Sequence, residues 1–238
     1  MADFKTHLGV ASVISAFSST VLMGAGITSP KEVILHFFLG SIGGSLPDID
    51  ADHSIALTNL FTFLAIMSAF TIILRFVMYL SIIEMLIIWA VAYSIIRFGL
   101  LKIFAKFTIH RGIFHSIPAA IFFGVLITIV CHRIFYFNDV QAWFCGFFVS
   151  LGYVSHLVLD ELYSIEYSTG RIKWSFGSAC KLIQLNYWHF YIYLYIAIIL
   201  LVLIAPTPTL FLQKWIQGDM FRQIQNNFLP THRWFGFI

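Results

Sequence analysis

The sequence predicts an all-α fold: a polytopic integral membrane helical bundle of about six to seven transmembrane helices. Three observations predict it. Of the 238 residues, 60% are hydrophobic and only 11% charged, against about 45–50% and about 25% in ordinary soluble domains. The mean hydropathy is +0.89, and 26 phenylalanines could not be hidden by so little polar surface. The apolar residues also fall into charge-free runs close to the roughly 20 residues that cross a hydrocarbon core.

Taken in order, the runs cover about 8–28, 30–46, 54–74, 76–96, 113–131, 140–159 and 187–205. The first follows a short start containing Lys5 and reads as a retained span, since it is long for a signal-peptide core and lacks a small-residue cleavage site. The second opens on "SPKE": Ser29 is placed to cap, Pro30 suits the first helical position and Glu32 completes a capping box. A helix from Pro30 to Leu46 would be roughly 26 Å long and ends at Pro47. The fourth run contains one acid, Glu84, which suggests function by its depth or pairs with Arg75 or a neighbouring hydroxyl. Residues 1–205 form the membrane-embedded domain, with a polar loop at 160–186, and residues 206–238 form an interfacial tail.

Basic residues orient the bundle. If all seven runs cross, Lys5, Arg97, Lys102, Lys106, Arg111, Arg171, Lys173 and Lys181 lie on one side, and Lys31, Arg75 and Arg133 on the other. The positive-inside rule then puts the N-terminus in the cytoplasm. There is no basic arm of the kind that tracks a nucleic-acid backbone, so no nucleic-acid partner is expected. Cys131, Cys145 and Cys180 are widely spaced with no CxxC pair; two of them lie in or beside apolar stretches, which reads as small core residues rather than a disulfide or zinc frame.

The polar residues collect on that same cytoplasmic face. His7 begins the first span; Asp48, Asp50, Asp52 and His53 follow the second; "HRGIFHS" carries His110 and His115 ahead of the fifth; and "SHLVLD" closes the sixth with His156 and Asp160. The last two are four apart and share a helix face. Gly112 lies between His110 and His115 and suggests a loop position for the first and a first-turn position for the second. Imidazole with carboxylate suits zinc, manganese or iron, and the number of groups allows two ions, an arrangement suited to phosphate-ester hydrolysis. Taken singly, each group also reads as interfacial, solvated or structural. His36, His132 and His189 read as packing or interfacial residues.

The motifs "HL" (His7–Leu8), "SLPDID" (45–50), "HRGIFHS" (110–116) and "SHLVLD" (155–160) occur in an order that resembles the YdjM-like family, LexA-regulated, membrane-bound, metal-dependent hydrolases of bacteria. The likeness covers about residues 1–185 and extends distantly to zinc-dependent phospholipase C and P1-type nucleases. It implies His7, Asp48, His110, His115, His156 and Asp160 as metal ligands, with Asp50 as a ligand or general base. Phe114 departs from the motif, where threonine is frequent.

The expected function is therefore a metal-dependent hydrolase of the bacterial inner membrane, acting on a phosphate ester or phosphodiester, with membrane lipid as the natural substrate source. Arg111 sits between two implied ligands and is placed to contact a phosphoryl oxygen; Arg171, Lys173 and Lys181 either hold phosphate or enforce topology. Two rivals are a transporter or metal-handling protein, and a non-catalytic membrane protein with a structural metal or polar cluster.

Overall fold

The computed structural model describes residues 3–50, 58, 61–62, 65–66, 69, 81–100, 113–166, 171–172, 180–185, 188–216 and 219–227, of which 49, 50, 165, 166, 171, 172 and 219 are described by backbone alone. Helix α1 is Phe4–Gly24, capped by the Asp3 carboxylate, which accepts from the Thr6 N–H at 3.1 Å. Gly26 takes the positive φ of 72° needed to turn the chain. Helix α2, Pro30–Gly43, begins as the sequence predicts: proline stands in its first turn, and the Ser29 N–H donates to Glu32 at 2.5 Å. It stops three residues short of Leu46, and a 3-10 turn follows at Pro47–Asp50. Its 14 residues make about 21 Å at 1.5 Å rise.

Helix α3, Ile82–Ser94, continues through a π-helical turn at Ile95–Leu100. Glu84 neither lies deep nor seeks a distant partner: it is exposed and completes a capping box, accepting from the Ser81 N–H at 2.7 Å and the Ser81 hydroxyl at 2.6 Å. Helix α4 is Ile117–Arg133, capped by Ser116, and α5 is Asp139–Tyr163, capped by Asn138. After α5 come two short antiparallel strands, β1 (Ile165–Glu166) and β2 (Arg171–Ile172). Helices α6 (Trp188–Ile204), α7 (Thr209–Ile216) and α8 (Asp219–Asn227) complete the order.

The chain divides into two units, residues 48–114 and the remainder. In the larger unit α5 is the central helix: α1, α2 and α4 pack along it, and α6 packs on α4. Glycines permit the close approach. A β-carbon on Gly152 of α5 would fall on the carbonyl of Gly40 in α2, and one on Gly146 would meet the carbonyl of Gly124 in α4. Small residues at helix crossings are how membrane helices gain van der Waals contact without a hydrophobic drive between them. Leu22, Phe144, Phe148, Phe211 and Met220 form one core cluster, which carries α7 and α8 onto the bundle. Val13, Phe17, Ile34, Phe38 and Ile121 point outward, as side chains facing lipid do.

Among the described residues, three helical segments are long and apolar enough to cross a membrane: Phe4–Gly24, Ile82–Leu100 and Asp139–Tyr163. A fourth arises if α6 and α7, bent by 101°, count as one, and α4 is a shorter apolar helix. Of the run predicted at 54–74, residues 58, 61–62, 65–66 and 69 are described and the rest lie outside the described residues.

Candidate metal centre

At one end of the larger unit the start of α1, the end of α2, the approach to α4 and the end of α5 meet. Each brings one element of a polar cluster. His7 lies in the first turn of α1, His156 and Asp160 lie one turn apart on the buried face of α5, and His115 precedes the Ser116 cap of α4 rather than entering its first turn. All four side chains are sealed from solvent, with exposures of 1% for His7, 3% for His115, 1% for His156 and 6% for Asp160.

Asp160 is the hub. Its Oδ1 lies 3.2 Å from His7 Nε2, and its Oδ2 lies 3.6 Å from His156 Nε2 and 3.7 Å from His115 Nε2. The first pair is close but out of line for a hydrogen bond, so neither ring nitrogen of His7 nor Asp160 Oδ1 has a hydrogen-bond partner among the described residues. The other two separations exceed hydrogen-bond reach. The rings of His7 and His156 stack with centroids 3.6 Å apart, and His115 meets His156 edge-on at 5.8 Å.

One contact fixes the chemistry of His156. Its Nδ1 is 2.7 Å from the carbonyl oxygen of Gly44. A carbonyl only accepts, so Nδ1 carries the proton, and in the neutral ring Nε2 presents a lone pair toward Asp160. Metal-bound histidines are oriented in this way, by a second nitrogen donating to a carbonyl or carboxylate. A lone pair facing a buried carboxylate could hold a cation between them. One protonated ring would satisfy Asp160 once; three rings around one carboxylate exceed that need.

The spacing fits an ion. With bonds of about 2.0–2.1 Å in a tetrahedron, neighbouring ligand atoms lie about 3.3 Å apart, close to the separations around Asp160. His7, His156 and Asp160 each offer a ligand atom within 4.8 Å of the others. Two imidazoles and a carboxylate, with the third imidazole of His115 beside them, suit a borderline divalent ion rather than calcium, which takes oxygen.

The remaining predicted residues divide by position. Asp48 and Asp50 belong to the 3-10 turn at the start of the smaller unit, and the Asp50 side chain lies outside the described residues. His110, Arg111 and Lys173 also lie outside them, as do Asp52 and His53; Arg171 is described by its β2 backbone. Lys181 is held beside the cluster through its backbone, where the Ile117 N–H donates to its carbonyl at 3.1 Å and Ser116 pairs with it in a parallel bridge. Its ammonium donates to Gln184 Oε1 at 2.7 Å. The N–H of Cys180 donates to Glu161 Oε1 at 3.2 Å, so the end of the polar loop is pinned across α4 and α5. Sequence reasoning missed Gly44, whose contribution is a main-chain oxygen; the Gly40–Gly44 spacing of small residues was the available signal.

His36 is buried and stacks on Phe148 at 4.4 Å, a packing role as expected. His132 bonds the Phe137 carbonyl through Nδ1, and His189 is exposed beside Trp188.

No curated protein and no solved structure matches the chain. A family model described as YdjM inner membrane protein matches residues 1–218. With apolar helices of spanning length and a family match over most of its length, the chain is a membrane protein and belongs to the YdjM inner membrane protein family.

Proposed function

We propose that this protein is a metal-dependent hydrolase that cleaves a phosphate ester or phosphodiester of a lipid-like substrate at the cytoplasmic face of the bacterial inner membrane. One observation carries the reading: three buried imidazoles surround one buried carboxylate, and the Gly44 carbonyl turns the lone pair of His156 toward it. His7, His115, His156 and Asp160 would hold a divalent ion, zinc in the first instance with manganese or iron as alternatives. His110 and Asp48 would complete the set for one ion or two. Bound there, the metal supplies Lewis acidity and a water nucleophile at neutral pH.

The other roles follow from residue chemistry. Asp50 accepts the proton of the attacking water, and Arg111 offsets charge developing on the phosphoryl oxygens. Arg171, Lys173 and Lys181 hold the phosphate, with Lys181 supported by its tether beside Ser116. The seven apolar runs give a bundle of six to seven spans, and the basic residues orient its histidine end inward. A transporter would favour ionisable groups near the midplane; here the interacting histidine–aspartate group gathers at a helix-bundle end. A protein that binds metal without turnover would instead support a structural centre.

Metal content is the first test. Wild type, His156→Ala and Asp160→Asn are purified in detergent, checked for monodispersity and analysed by elemental mass spectrometry. Wild type is expected to carry one or two zinc, manganese or iron ions per chain, with at least one lost in each variant. Metal-loaded wild type, but not the variants, is then expected to release phosphate or a headgroup from phospholipid or nucleotide esters. Absence of stoichiometric metal after reconstitution overturns the reading.

A further inference from the structure

At the opposite end of the larger unit, where α1 finishes and α2 and α5 begin, α7 crosses the bundle and a cavity of about 570 Å³ opens. Small-molecule sites are about 300–1,000 Å³. Charges of both signs line it, Glu32 from α2, Asp139 from α5 and Lys214 from α7, over an apolar floor that includes Ile27, Phe144 and Leu210.

The charges are only partly used within the protein. Lys214 is half-buried and makes no ion pair or hydrogen bond among the described residues. Asp139 Oδ2 accepts from the Thr207 hydroxyl at 2.7 Å, while Oδ1 lies 3.6 Å from His132 Nδ1, which is already engaged with the Phe137 carbonyl. Glu32 and Asp139 stand in the first turns of their helices, and Glu32 also accepts from the Ser29 N–H at 2.5 Å. The cavity thus presents one uncompensated cation opposite two anions, the complement of a ligand bearing an anion and an ammonium group.

Depth selects among such ligands. The apolar α6 ends before Pro206 and Pro208, and the chain bends by 101° into α7. Trp143 fixes the bend by donating its indole N–H to the Pro206 carbonyl at 3.1 Å. An apolar span turning into a helix with Lys214 and Trp215, beside Trp143, marks headgroup level. We propose that this cavity binds a phosphoethanolamine headgroup, supplied by a membrane phospholipid, with its phosphate on Lys214 and its ammonium between Glu32 and Asp139. The site is separate from the histidine cluster and stands independently of the hydrolase reading.

The test is native mass spectrometry of the full chain released from detergent with an equimolar mixture of phosphatidylethanolamine and phosphatidylglycerol of matched acyl chains. Wild type is expected to retain the ethanolamine lipid about fivefold over the glycerol lipid, the effect of one charge contact near the membrane surface. Glu32→Gln, which keeps the capping box, abolishes the preference, and Lys214→Gln weakens both lipids alike. Equal retention by wild type, or a preference that survives Glu32→Gln, overturns the proposal. A parallel arm offers soluble phosphoethanolamine, and binding of that ester with no lipid retained overturns the membrane source.

Discussion

At the scale of single residues, His156 and His36 have the same side chain and the same 1% exposure, but different surroundings. His156 donates to Gly44 and turns its Nε2 toward the Asp160 carboxylate at 3.6 Å. His36 lies against Phe148 with neither ring nitrogen hydrogen-bonded among the described residues. Burying a polar group without a partner costs about 1–3 kcal/mol, whereas a ring of similar shape without polar atoms keeps the stack. His36→Phe is therefore expected to raise the thermal midpoint, by about 1 kcal/mol of stability, and to leave metal content at the wild-type level. A lower midpoint, or a loss of metal, would show that His36 has a polar role. The sequence distinguished the two histidines in one respect: His156 has Asp160 four residues on, so helical geometry alone places them on one face. For His36 the sequence offers Glu32 at the same spacing, which looks equivalent; the difference lies in Phe148 on another helix, beyond the reach of local periodicity.

At the scale of elements, the histidine–aspartate cluster depends on how closely α2 can approach α5. The Gly44 carbonyl reaches His156 only because Gly40 and Gly152 let the two backbones touch. A methyl group on Gly152 would strike the Gly40 carbonyl and the Gly44 nitrogen, and main-chain atoms cannot rotate aside. Gly152→Ala is expected to cost about 1–3 kcal/mol, as overpacking does, and to lower metal occupancy by separating the carbonyl from the imidazole. Gly9→Ala is the control: Gly9 lies in α1 two residues from His7, is exposed, and nothing occupies the space its β-carbon would fill. That change is expected to add up to about 1 kcal/mol through helix propensity with occupancy unchanged. If both variants keep full metal, the α2–α5 contact does not position the ligand. Helix starts were more legible than ends. Ser29, Pro30 and Glu32 state the start of α2 in side-chain chemistry, whereas its end at Gly43, ahead of Pro47, follows from backbone packing against α5. Glu84 shows the same limit in reverse: an acid in an apolar run reads as buried until Ser81, three residues earlier, is recognised as its capping partner.

At the scale of the whole molecule, the histidine cluster and the mixed-charge cavity occupy opposite ends of the larger unit, so membrane orientation decides which chemistry meets the cytoplasm. The proposed orientation, read from the excess of Lys and Arg on one side, puts the histidine end in the cytoplasm, and the protein contains its own reporter. Cys180 is exposed, and its backbone is tied to Glu161 at that end, whereas Cys131 and Cys145 are buried. An impermeant maleimide applied to intact spheroplasts is therefore expected to leave the protein unlabelled, and to modify one thiol once the membrane is permeabilised. The pH dependence identifies which thiol. Desolvation, and after it the Glu161 carboxylate, push the Cys180 thiol above its ordinary value. A raised value means less thiolate at any given pH, and thiolate is the reacting form. Labelling should then be slow near neutrality and keep accelerating above about 8.5, where an ordinary cysteine levels off. Glu161→Gln removes the carboxylate charge and should move the rise toward lower pH, whereas Cys180→Ser should abolish labelling. Modification of Cys180 in intact spheroplasts would place the histidine end outside, and a cytoplasmic substrate would then be ruled out.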